Sequence, residues 1–261
     1  MSVKRDVFVK YIDTFLLGKI NEQHLSFKLN YDDSRVKVTM QPPTHTQFKT
    51  TTIFKHPFIN GETGGVILKN ADELKKTLSI MEDDINFKVE GNHNGIPLYL
   101  HANDTKRKIS FRCNSEYEDV RDIVNIPVPT LTCHLNNDFI NSYSKLISIF
   151  KPTSVRIANS DGDEYNILKF EGENLSGNVE LRLDCEFIDT NVPKKNNHVD
   201  VYDPIYLLKI LEQGKSITDD VILDYAIATQ SNDIPMSALF FDFENSDIHA
   251  KYVLTPLKIN K

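Results

Sequence analysis

The sequence predicts an α+β fold with extensive antiparallel pairing, and three observations predict it. A short amphipathic helix followed by two or three strands recurs four times, with helix centres near Lys10, Lys75, Lys145 and Lys209, about 65 residues apart. The segments between those helices alternate apolar and polar residues with period two, as half-buried strands do. Midway, Ile126-Pro-Val-Pro129 sets two prolines so close that neither a helix nor a central strand can pass through them. The expected division is an N-terminal domain over residues 1–115, an extended connector over 116–130, and a C-terminal domain over 131–261.

The first unit opens with a helix over Asp6–Leu17, where Phe8, Ile12, Phe15 and Leu16 share one face and Gly18 supplies a stop. Leu25–Leu29 and Arg35–Thr39 read as strands; Pro42-Pro43 interrupts, and Gln47–Phe54 resumes the alternation. In the second unit Leu74, Leu78 and Met81 form the stripe of a helix over Ala71–Met81, followed by strands at Ile85–Val89, Ile96–His101 and Lys108–Cys113. The third helix starts at Asp138 as N-cap, presents Phe139, Tyr143, Leu146, Ile147 and Phe150, and ends before Pro152. Strands Val155–Ala158, Tyr165–Glu171 and Asn178–Glu186 follow, with turns at Asp161-Gly162 and Leu175-Ser-Gly177. The fourth helix has the cleanest start: Asp203 caps it and Pro204 takes its first position. Leu207, Leu208 and Leu211 form its stripe and Gly214 its expected end, before strands Val221–Thr229, Ser237–Phe243 and Ala250–Leu254.

Composition narrows the function. The 261 residues are 40% hydrophobic and 26% charged, a normal globular balance. The net charge of −7 disfavours simple electrostatic binding of nucleic acid unless positive charge is segregated onto one surface. No run of 18 apolar residues predicts a transmembrane helix, and the N-terminus leads into an amphipathic helix rather than a signal-peptide core. Cys113, Cys133 and Cys185 lack metal-ligand spacing and read as reduced thiols, so a cytoplasmic, non-secreted protein is expected. Gly61-Glu-Thr-Gly-Gly65 lacks the Lys-Ser/Thr of a phosphate-binding loop and reads as a surface loop. Asp161-Gly-Asp-Glu164 lacks the spacing of a calcium loop and reads as a hairpin turn. The eight histidines include no helical H-x-x-x-H pair, and Cys133 and His134, adjacent on a strand, point to opposite faces. No nucleophile is marked, and no metal, cofactor or catalytic residue is expected.

Three stretches, in order, carry a resemblance. They are Asn125-Ile-Pro127 followed by Thr132-Cys-His-Leu135 and Asp138-Phe139; Ser231-Asn-Asp-Ile-Pro-Met236 between two strands; and the ending His249-Ala-Lys-Tyr-Val-Leu-Thr-Pro256. With the order of elements, they resemble the DNA sliding clamps, specifically the two-domain type of proliferating cell nuclear antigen and the phage clamps. The resemblance implies two similar domains, each with paired helices inside and antiparallel sheets outside, closing as a homotrimer into a ring. It implies edge-strand pairing between subunits, with Ile109 and Phe111 against Val179, Leu181 and Leu183. It implies a helical lining facing duplex DNA, for which Lys10, Lys75, Lys76, Lys145 and Lys209 are the candidates, with Lys19, Lys151 and Lys215 near helix ends. Lysine suits a surface that must not grip one site, being a mobile, hydrated point charge. Asp13, Asp72, Glu73 and Glu212 on the same helices temper that lining.

The resemblance further implies a pocket for partner peptides, with Ile126, Pro127, Pro235, Tyr252, Val253 and Pro256 at the matching positions. The function implied is a DNA polymerase processivity factor without catalysis, partnered by non-sequence-specific double-stranded DNA, a polymerase and an ATP-driven clamp loader, with no membrane. Richness in Asn, Lys and Ile suggests an AT-rich phage or viral genome, which would place the protein in the cytoplasm of a bacterial host. Two alternatives stay open: a monomeric or dimeric viral processivity subunit of the same fold that holds DNA by charge, and an enzyme with an unrecognised cleft.

Overall fold

Each amphipathic stripe in the sequence becomes a helix with most of that stripe buried, Phe8, Ile12 and Phe15 in the first, Leu74 and Leu78 in the second, Phe139, Tyr143, Leu146 and Ile147 in the third and Leu207 and Leu211 in the fourth, while Met81 is buried just past the end of the second helix. The structure is a computed structural model that describes residues 2–16, 26–40, 48–57, 59–60, 64–69, 71–92, 94–114, 123, 128–129, 131–158, 167–174, 177–184, 186–187, 199–229 and 235–257. The chain divides into two units, Met1–Ile123 with Glu244–Ala250, and Val124–Phe243 with Lys251–Lys261.

The first unit contains, in chain order, β1 (Ser2–Lys4), α1 (Arg5–Leu16), β2 (Ser26–Tyr31), β3 (Val36–Met40), β4 (Phe48–Phe54), β5 (Ile59–Asn60), β6 (Gly64–Lys69), α2 (Ala71–Leu78), β7 (Asp84–Gly91), β8 (Pro97–Asn103) and β9 (Lys108–Arg112). One sheet runs β1-β7-β8-β9, antiparallel, with β5 parallel beside β7; strands β4-β3-β2-β6 follow one another in another. Helices α1 and α2 pack on each other. Phe8, Tyr11, Ile12 and Phe15 of α1 are buried, with Phe8 4.8 Å from Phe87 and Tyr11 5.2 Å from Phe54 between ring centroids. The Tyr11 hydroxyl lies 3.2 Å from the Val36 carbonyl and 3.3 Å from that of Thr52, which ties α1 to β3 and β4. Lys55 N–H donates to the Asp247 carbonyl at 2.8 Å, holding the Glu244–Ala250 segment to the end of β4.

The second unit contains β10 (Leu131–Leu135), α3 (Asn137–Phe150), β11 (Val155–Ala158), β12 (Ile167–Asn174), β13 (Gly177–Asp184), β14 (Glu186–Phe187), β15 (Val199–Tyr202), α4 (Pro204–Ile217), β16 (Val221–Thr229), β17 (Pro235–Glu244) and β18 (Ile248–Leu254), the last shared between the units. Strands β14-β10-β16-β17 follow one another in one sheet and β13-β12-β11-β15 form another. Helices α3 and α4 pack together, and Phe139 and Tyr143 set their rings 5.2 and 6.1 Å from Phe170. The two sheets are joined by polar side chains: Tyr202 hydroxyl to Ser237 Oγ at 2.8 Å, Tyr225 hydroxyl donating to Asp200 at 3.1 Å, and Ser237 donating to Asp200.

Several details depart from the expected elements. The cap of α3 is Asn136, whose Oδ1 accepts from Phe139 N–H at 2.8 Å, rather than Asp138; an amide oxygen at N-cap serves as well as a carboxylate. Short β1, β5 and β14 have too few residues to show alternation, β15 is a strand the sequence reading missed although Val199-Asp-Val-Tyr202 alternates, and Gly64-Gly65, read as loop, open β6. Cys113 is a free, buried thiol whose ionisation burial pushes up to about 11, whereas Cys133 is disulfide-bonded, so the expectation of reduced thiols fails there.

Helix α4 does not stop at Gly214 but continues to Ile217. Glycine is there for space: a Cβ on residue 214 would lie 2.6 Å from Phe243 Cζ, on a ring that is itself fully buried. Alanine would improve helix propensity by about 1 kcal/mol, but overpacking a filled core costs about 1–3 kcal/mol. Gly214→Ala is therefore expected to be destabilising by about 1 kcal/mol net, seen as a lower midpoint in chemical denaturation; a variant as stable as the parent would show that Phe243 can yield.

Candidate functional site

The exposed faces of the four helices carry the lysines expected to meet DNA. On α1, Phe8, Tyr11, Ile12 and Phe15 turn inward, which leaves Asp6 and Lys10 exposed and Asp13 half-buried. On α2, Leu74 and Leu78 are buried while Glu73 and Lys76 are exposed. Lys75 reaches across to α1 and binds the Asp13 carboxylate, so that pair adds no net charge to the surface. On α3 the outward residues include Asn141 and Lys145; on α4 they include Glu212 and Lys215, with Lys209 half-buried. Lys215 Nζ donates to Asn141 Oδ1 at 3.2 Å, bridging the two helices as Lys75 and Asp13 bridge the first pair. Lys151 is exposed and closes α3 in the left-handed region, φ 45° and ψ 51°, with its N–H donating to the Ile147 carbonyl at 3.0 Å. Lys19 lies outside the described residues.

The four helices together hold seven basic residues (Arg5, Lys10, Lys75, Lys76, Lys145, Lys209, Lys215) and six acidic ones (Asp6, Asp13, Asp72, Glu73, Asp138, Glu212), a balance of +1. The whole chain carries −7, so the acidic surplus lies outside the helices. Arg5 escaped the sequence reading because it precedes the stripe; its guanidinium donates to the Met81 carbonyl at 2.9 Å and pairs with Asp83 at 3.0 Å.

The residues expected at the subunit interface lie on strands that end their sheets: β9 ends β1-β7-β8-β9, and β13 ends β13-β12-β11-β15. Along β9, Ile109 and Phe111 are half-buried and alternate with exposed Lys108, Ser110 and Arg112. Phe111 is in register with Leu100 of β8, and exposed Leu98 lies two residues from Leu100 on the same side. On β13 Leu181 is half-buried, and Val179 and Leu183 stand two residues to either side, in register with Gly172 and Leu168 of β12. Glu180 of β13 stands directly opposite Glu171 of β12. The β9 edge thus carries Lys108 and Arg112 and no acid, whereas the β13 edge is mixed, with Glu180 opposite Glu171 and Arg182, two residues on, opposite Lys169.

The expected peptide pocket is described only in part. Ile126 and Pro127 lie outside the described residues. Pro235 is the first residue of β17, a position that spares the ladder a missing N–H. Val253 and Pro256 are half-exposed, whereas Tyr252 is fully enclosed, 5.7 Å from the ring of Phe243. Among the described residues no group of three or more His, Cys, Asp or Glu side chains could hold a metal, and no helix is long and apolar enough to cross a membrane. An open cleft of about 380 Å³ is lined by Asn30, Tyr31, Asp32, Arg35, Lys37, Gly64 and Gly65. Its carboxylate is already committed: hydrogen bonds from Ser34 and Arg35 hold Asp32 down at about 2, locking the β2–β3 turn.

No family model and no curated protein matches the sequence. Solved structures do match the fold. Proliferating cellular nuclear antigen from Entamoeba histolytica superposes with a TM-score of 0.67 at 11% identity, covering 98% of this chain and 97% of that one. The Helicobacter pylori beta clamp, solved with a DNA ligase peptide bound, gives 0.66 at 9% identity, covering 100% of this chain and 67% of that one. With paired helices and antiparallel sheets in each of two units, and likeness over nearly its whole length, the chain has the fold of the DNA sliding clamps.

Proposed function

We propose that this chain is a sliding clamp: a homotrimeric ring that encircles duplex DNA and tethers a polymerase and other replication proteins, with no catalysis of its own. The observation that carries the reading is the end-to-end likeness to proliferating cellular nuclear antigen, 98% of one chain on 97% of the other. The charge distribution supports it. A surface near +1 on a chain of −7 keeps DNA at the helices without binding any phosphate tightly. Such a balance also speaks against holding DNA by charge alone, where a steep salt dependence would be needed. A ring of three chains joins the β9 edge of one to the β13 edge of the next and covers two sheet edges. Ring opening is assigned to an ATP-driven loader, and partner peptides to a surface that includes Val253 and Pro256, by analogy with the ligase peptide on the Helicobacter pylori clamp.

Retention on DNA tests this. The protein is diluted with circular or linear duplex, reconcentrated, and challenged with high salt. Retention on circles and loss from linear DNA is expected; equal loss from both would favour the charge-holding reading. Alanine at Lys10, Lys76, Lys145 and Lys209 together is expected to cut retention at least about tenfold, by removing four phosphate-facing charges. Lys75→Ala alone is also expected to weaken retention, because it turns a neutral pair into an unpaired carboxylate, whereas Lys75→Ala combined with Asp13→Asn keeps the pair neutral and is expected to do little.

Lys151 offers a separate check. A non-glycine residue in the left-handed region costs about 1–2 kcal/mol, and glycine is the usual choice at such a helix end. Lys151→Gly is expected to stabilise the protein by about 1 kcal/mol in thermal melts while weakening retention on circular DNA. Unchanged retention would remove Lys151 from the DNA-facing set.

A further inference from the structure

We propose that the outward face of the β7-β8-β9 sheet binds single-stranded nucleic acid, with Tyr99 as the platform for a base and Lys88, Lys108 and Arg112 as the phosphate contacts. The inference goes beyond the clamp reading and does not depend on the ring. Strand register sets Tyr99 of β8 between Glu90 of β7 and Arg112 of β9, Lys88 beside His101, and Lys108 one row further on. The alternate residues Ile85, Phe87, Leu100 and Ala102 are buried on the other side of the sheet, where Phe8 of α1 meets Phe87 at 4.8 Å. The Tyr99 face therefore turns away from α1, one of the helices assigned to duplex DNA.

The charge on this face suits a polyanion. Lys88, Lys108 and Arg112 are exposed, one in each row, and among the described residues none of the three is in an ion pair. The acids on the same side are engaged: Asp84 with Lys4 of β1 at 2.7 Å, and Glu90 with His101 Nε2 at 2.7 Å. Lys88 and Lys108 also favour the charged form of Glu90. Across β1, β7, β8 and β9 the face still holds four cations to two carboxylates, on a chain whose net charge is −7. Such segregation of positive charge is what an acidic chain needs to attract nucleic acid.

The aromatic ring selects a single strand. A duplex hides its base faces in the stack, whereas a single strand offers them to an aromatic side chain. Tyr99 is 38% exposed, and its ring lies within 20° of parallel to that of His101, 6.0 Å away. His101 is nearly enclosed and has a partner at each nitrogen, Glu90 at 2.7 Å and Ser110 Oγ at 2.8 Å, so it backs Tyr99 as a fixed neighbour. A base laid on Tyr99 has Arg112 beside it on β9 and Lys88 one row along on β7, rows being about 7 Å apart. No element enters a groove, so binding is tolerant of sequence. Pairing at the β9 edge uses backbone groups in the plane of the sheet, while these side chains stand perpendicular to it, so the site and the ring are compatible.

The test is fluorescence anisotropy of the full chain with a labelled thymidine homopolymer of about 16 nucleotides, and with a duplex of the same length, across a salt series. The single strand is expected to bind more tightly than the duplex, with a log–log salt slope of about −2 from three phosphate contacts. Lys88→Gln is expected to reduce that slope by about 0.7. Tyr99→Ala is expected to weaken binding at least about fivefold, the lower end of what stacking on an aromatic contributes, while Tyr99→Phe keeps the ring and binds as the parent does. Retention of Tyr99→Ala on circular duplex is expected to be unchanged. No binding of the single strand at low salt, equal affinity for the duplex, or parent-like binding by Tyr99→Ala overturns the proposal. Loss of circular-duplex retention together with single-strand binding in Tyr99→Ala overturns it as well, because the two sites would not be separate. Displacement of the oligonucleotide by poly-glutamate at equal charge concentration would instead make the face a dock for an acidic peptide. Loss confined to the alanine variant of Lys10, Lys76, Lys145 and Lys209 would return the single strand to the helices; either result overturns the proposal and leaves the clamp reading standing.

Discussion

Two buried tyrosines carry the constraint on which both units depend. Tyr11 on α1 and Tyr143 on α3 are fully enclosed, and an enclosed hydroxyl without an acceptor would cost about 1–3 kcal/mol. Tyr11 finds its acceptors in the carbonyls of Val36 and Thr52, and Tyr143 donates to the Pro204 carbonyl at 3.3 Å. The first contact sets α1 on its sheet; the second sets α3 against the start of α4. Burial pushes both phenols well above their usual range, so each stays a neutral donor. With the helix positions set from the inside, the opposite faces are left for Lys10, Lys76 and Lys145.

What the sequence made legible follows from how far each signal reaches along the chain. The helical stripes are local patterns over three or four turns, so Phe8 to Phe15 and Phe139 to Ile147 could be placed directly. Asp203-Pro204 marked a helix start because cap and first turn are neighbours. Gly214 misled because its reason lies 29 residues away in Phe243: a close approach looks, in sequence, the same as a helix stop. The pairing of Lys75 with Asp13 joins positions 62 apart and has no local trace. The same holds for Glu90, His101 and Ser110, which become neighbours only once three strands align in register.

Charge and edge structure belong to one design. In the proposed ring, closure through strand edges would set the basic β9 edge against the mixed-charge β13 edge. Exposed pairs contribute little stability singly, about 0–1 kcal/mol, so in that proposed ring most of the association would fall to Ile109, Phe111 and Leu181.

Solution mass by light scattering, across a concentration series near neutral pH, tests the central claim most directly. The account predicts a species of about 90 kDa, three times the 29.9 kDa chain, reduced to a monomer by Phe111→Glu, which puts a charge into the apolar strip of β9. A monomer at every concentration for the unaltered chain, or a trimer indifferent to Phe111→Glu, would contradict it.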